Sequence, residues 1–181
     1  FDEETAAQLK ADGYSADLMA ANNVLAHVPD IRRFAGGFKV LLKPNGVATF
    51  EFPHLMRLLD QLQFDTIYHE HYSYLSFTFV ERLMRDLGLA VFDVTRLQTH
   101  GGSLRLFVCH AGTRAETAAV ADLRADEINK AMNAASGYVG LSDKVGQIVS
   151  DFRTFLNRCK SENKTVAGYG AAAKGNTFLN F

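Results

Sequence analysis

Residues 65–74, Asp-Thr-Ile-Tyr-His-Glu-His-Tyr-Ser-Tyr, combine side chains that carry protons with side chains that can hold them in place. Histidine is the side chain whose ordinary pKa lies nearest neutrality, so a histidine of this segment is a candidate general acid or base. Tyr68 and Glu70 could orient an imidazole or share its proton. Such a run is untypical of a core strand, because each buried polar group needs a partner. The alternative is a set of structural polar groups that satisfy one another.

The spacing His69-x-His71 also allows a metal site. On a strand both imidazoles would face the same way. No third ligand stands at a matching spacing, so a general base is favoured over a metal hydrolase, and we predict no metal in this chain.

Polar side chains follow the first predicted strand. Asn22 and Asn23 come directly after the apolar run 17–21, with His27 a few positions later. In open α/β sheets, ligands bind outside the carboxyl ends of the strands, so the two amides are candidate cofactor contacts. The alternative is a helix cap with its loop.

Two glycine-containing segments could approach a ligand. His100-Gly-Gly-Ser103-Leu-Arg105 offers groups that bind phosphate or carbonyl oxygen, although a plain hairpin turn is the slightly favoured explanation. Gly168-x-Gly-x-x-Ala, followed by Lys174, could cradle a diphosphate at a helix N-terminus. By itself this second pattern is a weak motif.

An alternation of strands and helices must position these motifs. Helices are predicted at 31–42, 55–62 and 79–87, strands at 17–21, 47–52, 89–97 and 103–110, and a turn at 43–46. This order predicts an α/β fold with a parallel sheet and an antiparallel edge strand. Further helices are predicted at 114–133 and 142–160. A strand, a glycine turn and a helix start are predicted over 165–177.

Composition excludes several classes of protein. The net charge of −1 gives no basic excess for nucleic acid, and no apolar stretch is long enough to cross a bilayer. Cys109 and Cys159 lack metal-type spacing and are typical of reduced thiols in a cytoplasmic protein.

With these motifs in order, the chain resembles the NDP-sugar C-methyltransferases. The resemblance rests on Asn-Asn-Val-Leu-Ala-His-Val-Pro-Asp (22–30), Phe-Asp-Thr-Ile-Tyr-His-Glu-His (64–71), Thr-His-Gly-Gly-Ser-Leu-Arg (99–105) and Gly-Tyr-Gly-Ala-Ala-Ala-Lys-Gly-Asn-Thr (168–177). It implies transfer of a methyl group from S-adenosylmethionine to a carbon, expected to be C3, of an NDP-4-keto-deoxysugar through an enolate.

The resemblance also implies domains and site residues. Residues 1–113 would be the C-terminal part of a class I methyltransferase (Rossmann-like) domain, 114–161 a helical connector, and 162–181 the start of a second Rossmann-like domain that binds nucleotide sugar. The cofactor loop and a zinc-binding domain of the parent protein would lie upstream, so the chain alone is expected to be inactive. The implied site residues are His71, His27, Tyr68 and Glu70 for catalysis, Asn22 and Asn23 for the cofactor, and His100, Ser103, Arg105, Tyr169, Lys174 and Asn176 for the substrate.

Two other functions remain open. A nicotinamide-dependent oxidoreductase could be built on the turn at Gly168. A non-catalytic nucleotide-sugar-binding protein would keep Lys174 without needing Tyr68 or His71. The oligomeric state stays open.

Overall fold

A computed structural model describes residues 1–170 and 172–181 of the chain. Strands and helices are interspersed up to residue 110, and only helices follow among the described residues. The order is α1 (Glu3–Ala11), β1 (Ala16–Asn22), α2 (Ile31–Leu41), β2 (Leu42–Pro53), α3 (Leu55–Asp60), α4 (Phe77–Asp86), β3 (Leu89–Leu97), β4 (Ser103–His110), α5 (Ala118–Asn129), α6 (Leu141–Ser161) and α7 (Ala173–Asn180). Short 3₁₀ turns lie at Phe64–Thr66, Thr99–Gly101 and Ala135–Tyr138.

The four strands form one mixed sheet in the order β1-β2-β4-β3, which confirms the predicted α/β class. β1 and β2 are parallel, whereas β4 runs antiparallel to both of its neighbours. The edge strand β3 thus pairs antiparallel with its neighbour, as predicted, and the strand that runs opposite to the other three is β4, inside the sheet. Leu104, Leu106 and Val108 of this central strand are almost fully buried in the hydrophobic core.

The first strand was predicted to be buried, and this is wrong. β1 lies at the edge of the sheet and pairs only with β2 among the described residues. Leu18 is 67% exposed, and Ala21 is the one buried residue of the strand. An apolar run does not distinguish a central strand from an edge strand.

The turn predicted at 43–46 is also wrong, since these residues lie within β2. Ala16 pairs with Leu42, but Leu18 already pairs with Val47, so the intervening residues of β2 bulge out of register. A Cβ on Gly46 would lie 2.8 Å from the carbonyl oxygen of Ala16. Glycine therefore permits a close approach of the two strands here.

Apolar residues from both faces of the sheet form the core. Phe38 of α2 packs on Phe50 with ring centroids 4.7 Å apart. On α5, Val120 and Leu123 are fully buried in the same cluster. The first helix of the predicted connector thus packs against the sheet.

Helix α4 illustrates how local sequence sets an element. Ser76 caps its start, where the hydroxyl accepts a hydrogen bond from the Phe79 amide at 3.2 Å. After the helix, Gly88 has φ of +75°, a conformation that costs other residues about 1 kcal/mol or more. The predicted stop at Gly88 is confirmed.

We expect Gly88→Ala to lower the free energy of unfolding by about 1 kcal/mol, because alanine is strained at this φ. Urea denaturation measures the effect. Gly146→Ala is the matched control. Gly146 lies inside α6 with no atom within 4 Å of a Cβ, so alanine should stabilise the helix by about 0.5–1 kcal/mol. Equal effects at the two sites would contradict the backbone argument.

The C-terminal segment differs from its prediction at one point. Residues 164–170 form no strand, because no described segment pairs with them, whereas the predicted helix is present as α7. Ala171, within the glycine motif, lies outside the described residues. Phe178 of α7 packs on Phe152 of α6, with centroids 5.0 Å apart, and on Phe64, with centroids 5.9 Å apart.

Candidate active site

The segment between α3 and α4 carries the Tyr-His-Glu-His motif. Its amides at Tyr72 and Ser73 both donate to the carbonyl oxygen of Ala26, at 2.9 and 3.2 Å. These bonds hold the segment against the loop that follows β1. His27 is thereby brought beside His71, although the two residues come from different motifs.

Two histidine rings and one tyrosine ring form the centre of the site. The ring centroid of His71 lies 4.8 Å from that of His27 and 4.7 Å from that of Tyr68. Nδ1 of His71 lies 2.8 Å from the carbonyl oxygen of Thr66, and Nδ1 of His27 lies 2.8 Å from that of Glu70. A carbonyl only accepts, so Nδ1 carries the proton of each neutral ring and Nε2 keeps the lone pair. Both rings are therefore oriented to act as bases through Nε2.

A cavity of about 80 Å³ opens beside this cluster. Its polar lining includes Thr66, Tyr68, His71, Ser73, Tyr74, His100 and Lys174. Burial raises the pKa of the Tyr74 phenol, so this side chain stays a neutral donor near pH 7. The cavity thus joins one candidate base, His71, with hydroxyl groups and one ammonium group, whereas His27 lies beside His71 without lining the cavity.

Glu70 contacts the cluster through its backbone. Its carbonyl oxygen accepts the hydrogen bond from His27, while its side chain is exposed and does not line the cavity. The prediction that its carboxylate orients an imidazole has no contact in this structure to support it.

The carboxyl end of β1 presents an unusual amide. Asn23 has φ of +55°, and its backbone N–H donates to the backbone carbonyl oxygen of Glu51 at 2.8 Å. Nδ2 lies 3.4 Å from Nε2 of His100, but the buried Oδ1 has no hydrogen-bond partner among the described residues. A buried acceptor without a donor fits a ligand that brings its own N–H or O–H group. Asn22 is exposed beside it.

Residues of the Gly-Gly segment divide between the cavity and the protein interior. His100 lines the cavity and is itself in a left-handed conformation, with φ of +53°. Arg105 instead binds the buried carboxylate of Glu51 through Nη2 at 2.7 Å and Nε at 3.1 Å. Ser103 is buried and donates to the carbonyl oxygen of Thr99 at 3.0 Å. Arg105 and Ser103 thus have structural partners already.

Of the three predicted substrate contacts near the C-terminus, Lys174 alone lines the cavity. Tyr169 is fully exposed. The amide of Asn176 accepts a hydrogen bond from Nδ2 of Asn180 at 3.0 Å and lies on the exposed side of α7.

Sequence reasoning missed a buried pair next to the cavity. Nε2 of His54 lies 2.7 Å from Oε1 of Glu127, and the two residues are 3% and 0% exposed. His54 also lines the cavity. It directly follows the carboxyl end of β2, where ligand-binding groups are expected, so its position was a usable signal. Glu127 gave no signal, because its partner is 73 positions away in the chain.

No described residues form a metal site. In residues 1–170 and 172–181, no three histidine, cysteine, aspartate or glutamate side chains lie close enough together to hold an ion. The same part of the chain contains no helix long and apolar enough to cross a bilayer.

Comparison with known proteins agrees with the motifs. A family profile described as a methyltransferase domain matches residues 1–94, more than half of the chain. The chain belongs to the methyltransferase family. A second profile, described as a C-methyltransferase C-terminal domain, matches residues 98–181. The resemblance predicted from the four motifs is confirmed by these matches.

The C-methyltransferase NovU of Streptomyces niveus is 36% identical to this chain over 165 residues. The alignment covers 91% of this chain and 39% of NovU, so the chain spans about two fifths of the length of that relative. Among solved structures, the magnesium protoporphyrin IX methyltransferase of Synechocystis PCC 6803 is 15% identical with a TM-score of 0.44, covering 59% of this chain and 48% of that one. An O-methyltransferase family protein of Burkholderia thailandensis is 20% identical with a TM-score of 0.45, covering 61% and 34%.

Proposed function

We propose that this methyltransferase transfers a methyl group from S-adenosylmethionine to C3 of an NDP-4-keto-deoxysugar. The observation that carries the proposal is the cavity in which His71 and Tyr68 meet His100 and Lys174, with His71 oriented by the carbonyl oxygen of Thr66. The similarity to NovU supports methylation at carbon. S-adenosylmethionine, when bound, supplies an electrophilic methyl group.

The chemistry of the chain's own residues is proton removal. Nε2 of His71 takes the proton from C3, and the electron pair of the C–H bond passes to the C4 oxygen as the enolate forms. Removing a proton beside a carbonyl requires a placed base and donors for the developing oxyanion. The hydroxyl group of Tyr68 and the ring of His100 are among the donors that line this cavity, and the Tyr74 hydroxyl, which donates to the Thr66 carbonyl oxygen at 3.4 Å, lines it as well. His27 is the alternative base.

Binding groups lie at two ends of the site. Asn23 Oδ1, the buried acceptor without a partner, would contact the cofactor with Asn22 beside it. Lys174 would bind an anionic group of the substrate, for which the diphosphate is the natural choice. Glu70, Ser103, Arg105, Tyr169 and Asn176 remain proposed site residues on the strength of the resemblance alone.

The test is methyl transfer by the full-length protein. We would supply S-adenosylmethionine with an isotopically labelled methyl group, together with an NDP-4-keto-deoxysugar, and locate the label by NMR. The expected product carries the methyl group on C3 and has lost one C3 hydrogen. A label on oxygen would overturn carbon methylation, and a label on another carbon would overturn the C3 assignment.

Other results would identify the alternatives. Nucleotide-sugar binding by calorimetry without methyl transfer would indicate a non-catalytic binding protein. Substrate-dependent oxidation of a nicotinamide cofactor would indicate an oxidoreductase.

A further inference from the structure

The carboxylate of Glu127 joins three elements of the fold next to the cavity. Oε1 accepts from Nε2 of His54 at 2.7 Å and from the Phe77 amide at 2.6 Å, and Oε2 accepts from the Thr78 amide at 2.8 Å. Glu127 belongs to α5, His54 follows β2, and the two amides open α4. A carboxylate is well placed there, because the first amides of a helix lack partners within the helix and carry partial positive charge.

The same contacts lie at the two ends of the segment that carries the candidate catalytic residues. His54 forms a parallel bridge with Leu75, and the Leu55 amide donates to the Leu75 carbonyl oxygen at 2.9 Å. The segment therefore leaves the sheet at His54 and returns beside it before α4 begins at Phe77. Tyr68 and His71 lie between these two points.

We propose that Glu127 and His54 are positioning residues of the active site, which fix both ends of the segment 55–76 and thereby hold Tyr68 and His71 against His27. The inference rests on the proposed function, because it assigns the pair a part in that reaction. An ionised carboxylate only accepts, so it also fixes His54 with its proton on Nε2. Nδ1 then keeps its lone pair in the neutral ring.

The charge state of Glu127 is set by opposing effects. Burial alone would raise the pKa of the Glu127 carboxyl. Hydrogen bonds from His54, Thr78 and Phe77 outweigh burial, and the net pKa lies below the ordinary 4.5. The nearby Tyr138 phenol, whose pKa is raised by burial and by the charge on Glu127, stays neutral. Glu127 is therefore an anion at the pH at which the enzyme would work.

Glu127→Gln removes the charge and nearly preserves the shape. A glutamine has one acceptor oxygen, so its amide group must face at least one of the three donors that Glu127 satisfies. Because a misplacement of about 1 Å can cost about 10²-fold in rate, we expect kcat to fall by about tenfold or more with little change in KM. The matched control is Glu81→Gln. Glu81 of α4 forms an ion pair with Arg124 of α5, in which Oε1 and Nη2 lie 2.6 Å apart. It does not line the cavity, and it is not one of the residues at the ends of segment 55–76.

The measurement is kcat and KM of the full-length protein, with urea denaturation of the same variants. We expect both variants to lose stability but Glu127→Gln alone to lose kcat. If kcat falls equally in both variants, or if it is unchanged in Glu127→Gln, the positioning role is wrong.

A stability curve against pH gives a second check. A carboxyl group whose pKa is lower in the folded than in the unfolded protein stabilises the fold fully above the unfolded-state pKa. This stabilisation is lost as the pH falls through the folded-state pKa. The wild type should therefore lose stability in acid more steeply than Glu127→Gln.

A second readout separates this inference from the proposed function. NMR signals of the His71 and His27 rings at neutral pH report their environment without any substrate. We expect both to shift in Glu127→Gln and to stay unchanged in Glu81→Gln. Unchanged signals in Glu127→Gln would overturn the positioning role. If the wild type does not methylate sugars but the signals shift as expected, the proposed reaction fails while the positioning role stands.

Discussion

His71→Asn should lower kcat for methyl transfer by about 10²-fold or more, which is the usual contribution of a placed general base. Nδ1 of His71 is held by the carbonyl oxygen of Thr66 at 2.8 Å, which leaves Nε2 to take the proton. Asparagine can keep a donor for that carbonyl but offers no basic nitrogen. The loss should therefore fall on the chemical step and not on substrate binding.

Hydrogen exchange isolates the proton-removal step. In deuterium oxide, without S-adenosylmethionine, the wild type should exchange the C3 hydrogen of the 4-keto sugar, and His71→Asn should not. His27→Asn tests the rival base, whose ring centroid lies 4.8 Å from that of His71. If His27→Asn abolishes exchange while His71→Asn retains it, the assignment of the base is reversed.

His69→Gln is the control for this series. His69 lies in the same motif, but its side chain is exposed and does not line the cavity. Its substitution should leave kcat and exchange unchanged. A loss as large as that of His71→Asn would show that the motif as a whole, and not one basic nitrogen, supports the reaction.

The sequence identified candidate residues of this site better than it predicted their contacts. His27, Tyr68 and His71 could be chosen because their side chains are unusual between apolar runs. His27 and His71 meet because the carbonyl oxygen of Ala26 holds the two segments together. This is a backbone contact, and residue types do not predict it. Glu127 was missed for the same reason, since its contact with His54 is formed by tertiary structure alone.

The errors in the fold have a similar origin. A Lys-Pro-Asn-Gly run is typical of a turn, yet pairing with β1 continues on both sides of it and keeps it within β2. Residues 165–170 have the apolar start and glycine end of a strand, but among the described residues they have no partner. Local patterns predict what a segment prefers, and strand pairing decides the rest.

Arg105 gives the sharpest contrast between sequence and structure. Its place in the Gly-Gly segment predicts a contact with the substrate, but its guanidinium binds Glu51, whose side chain is 6% exposed. The Thr99 hydroxyl is a further donor to Glu51, at 3.3 Å. Removing Arg105 leaves a buried carboxylate without its cation, a change that costs about 1–3 kcal/mol because the guanidinium itself is 41% exposed and the pair is partly screened by solvent. Arg105→Met should therefore lower the free energy of unfolding, whether or not Arg105 also contacts the substrate.

A double-mutant cycle distinguishes the two roles. Glu51→Leu together with Arg105→Met removes both charges, so the double variant should recover most of the stability lost by Arg105→Met. Urea denaturation gives the free energies of unfolding. Arg96→Met is the control, because Arg96 and its partner Asp126 are 43% and 48% exposed and such pairs contribute under about 1 kcal/mol.

Kinetics of the double variant then decide what Arg105 does for the substrate. If the ion pair is its whole role, KM for the nucleotide sugar returns toward the wild-type value together with stability. If Arg105 also binds the substrate, KM stays high in a protein that is again stable. In that case the arginine serves both functions, and the buried Glu51 holds the guanidinium in place for the ligand.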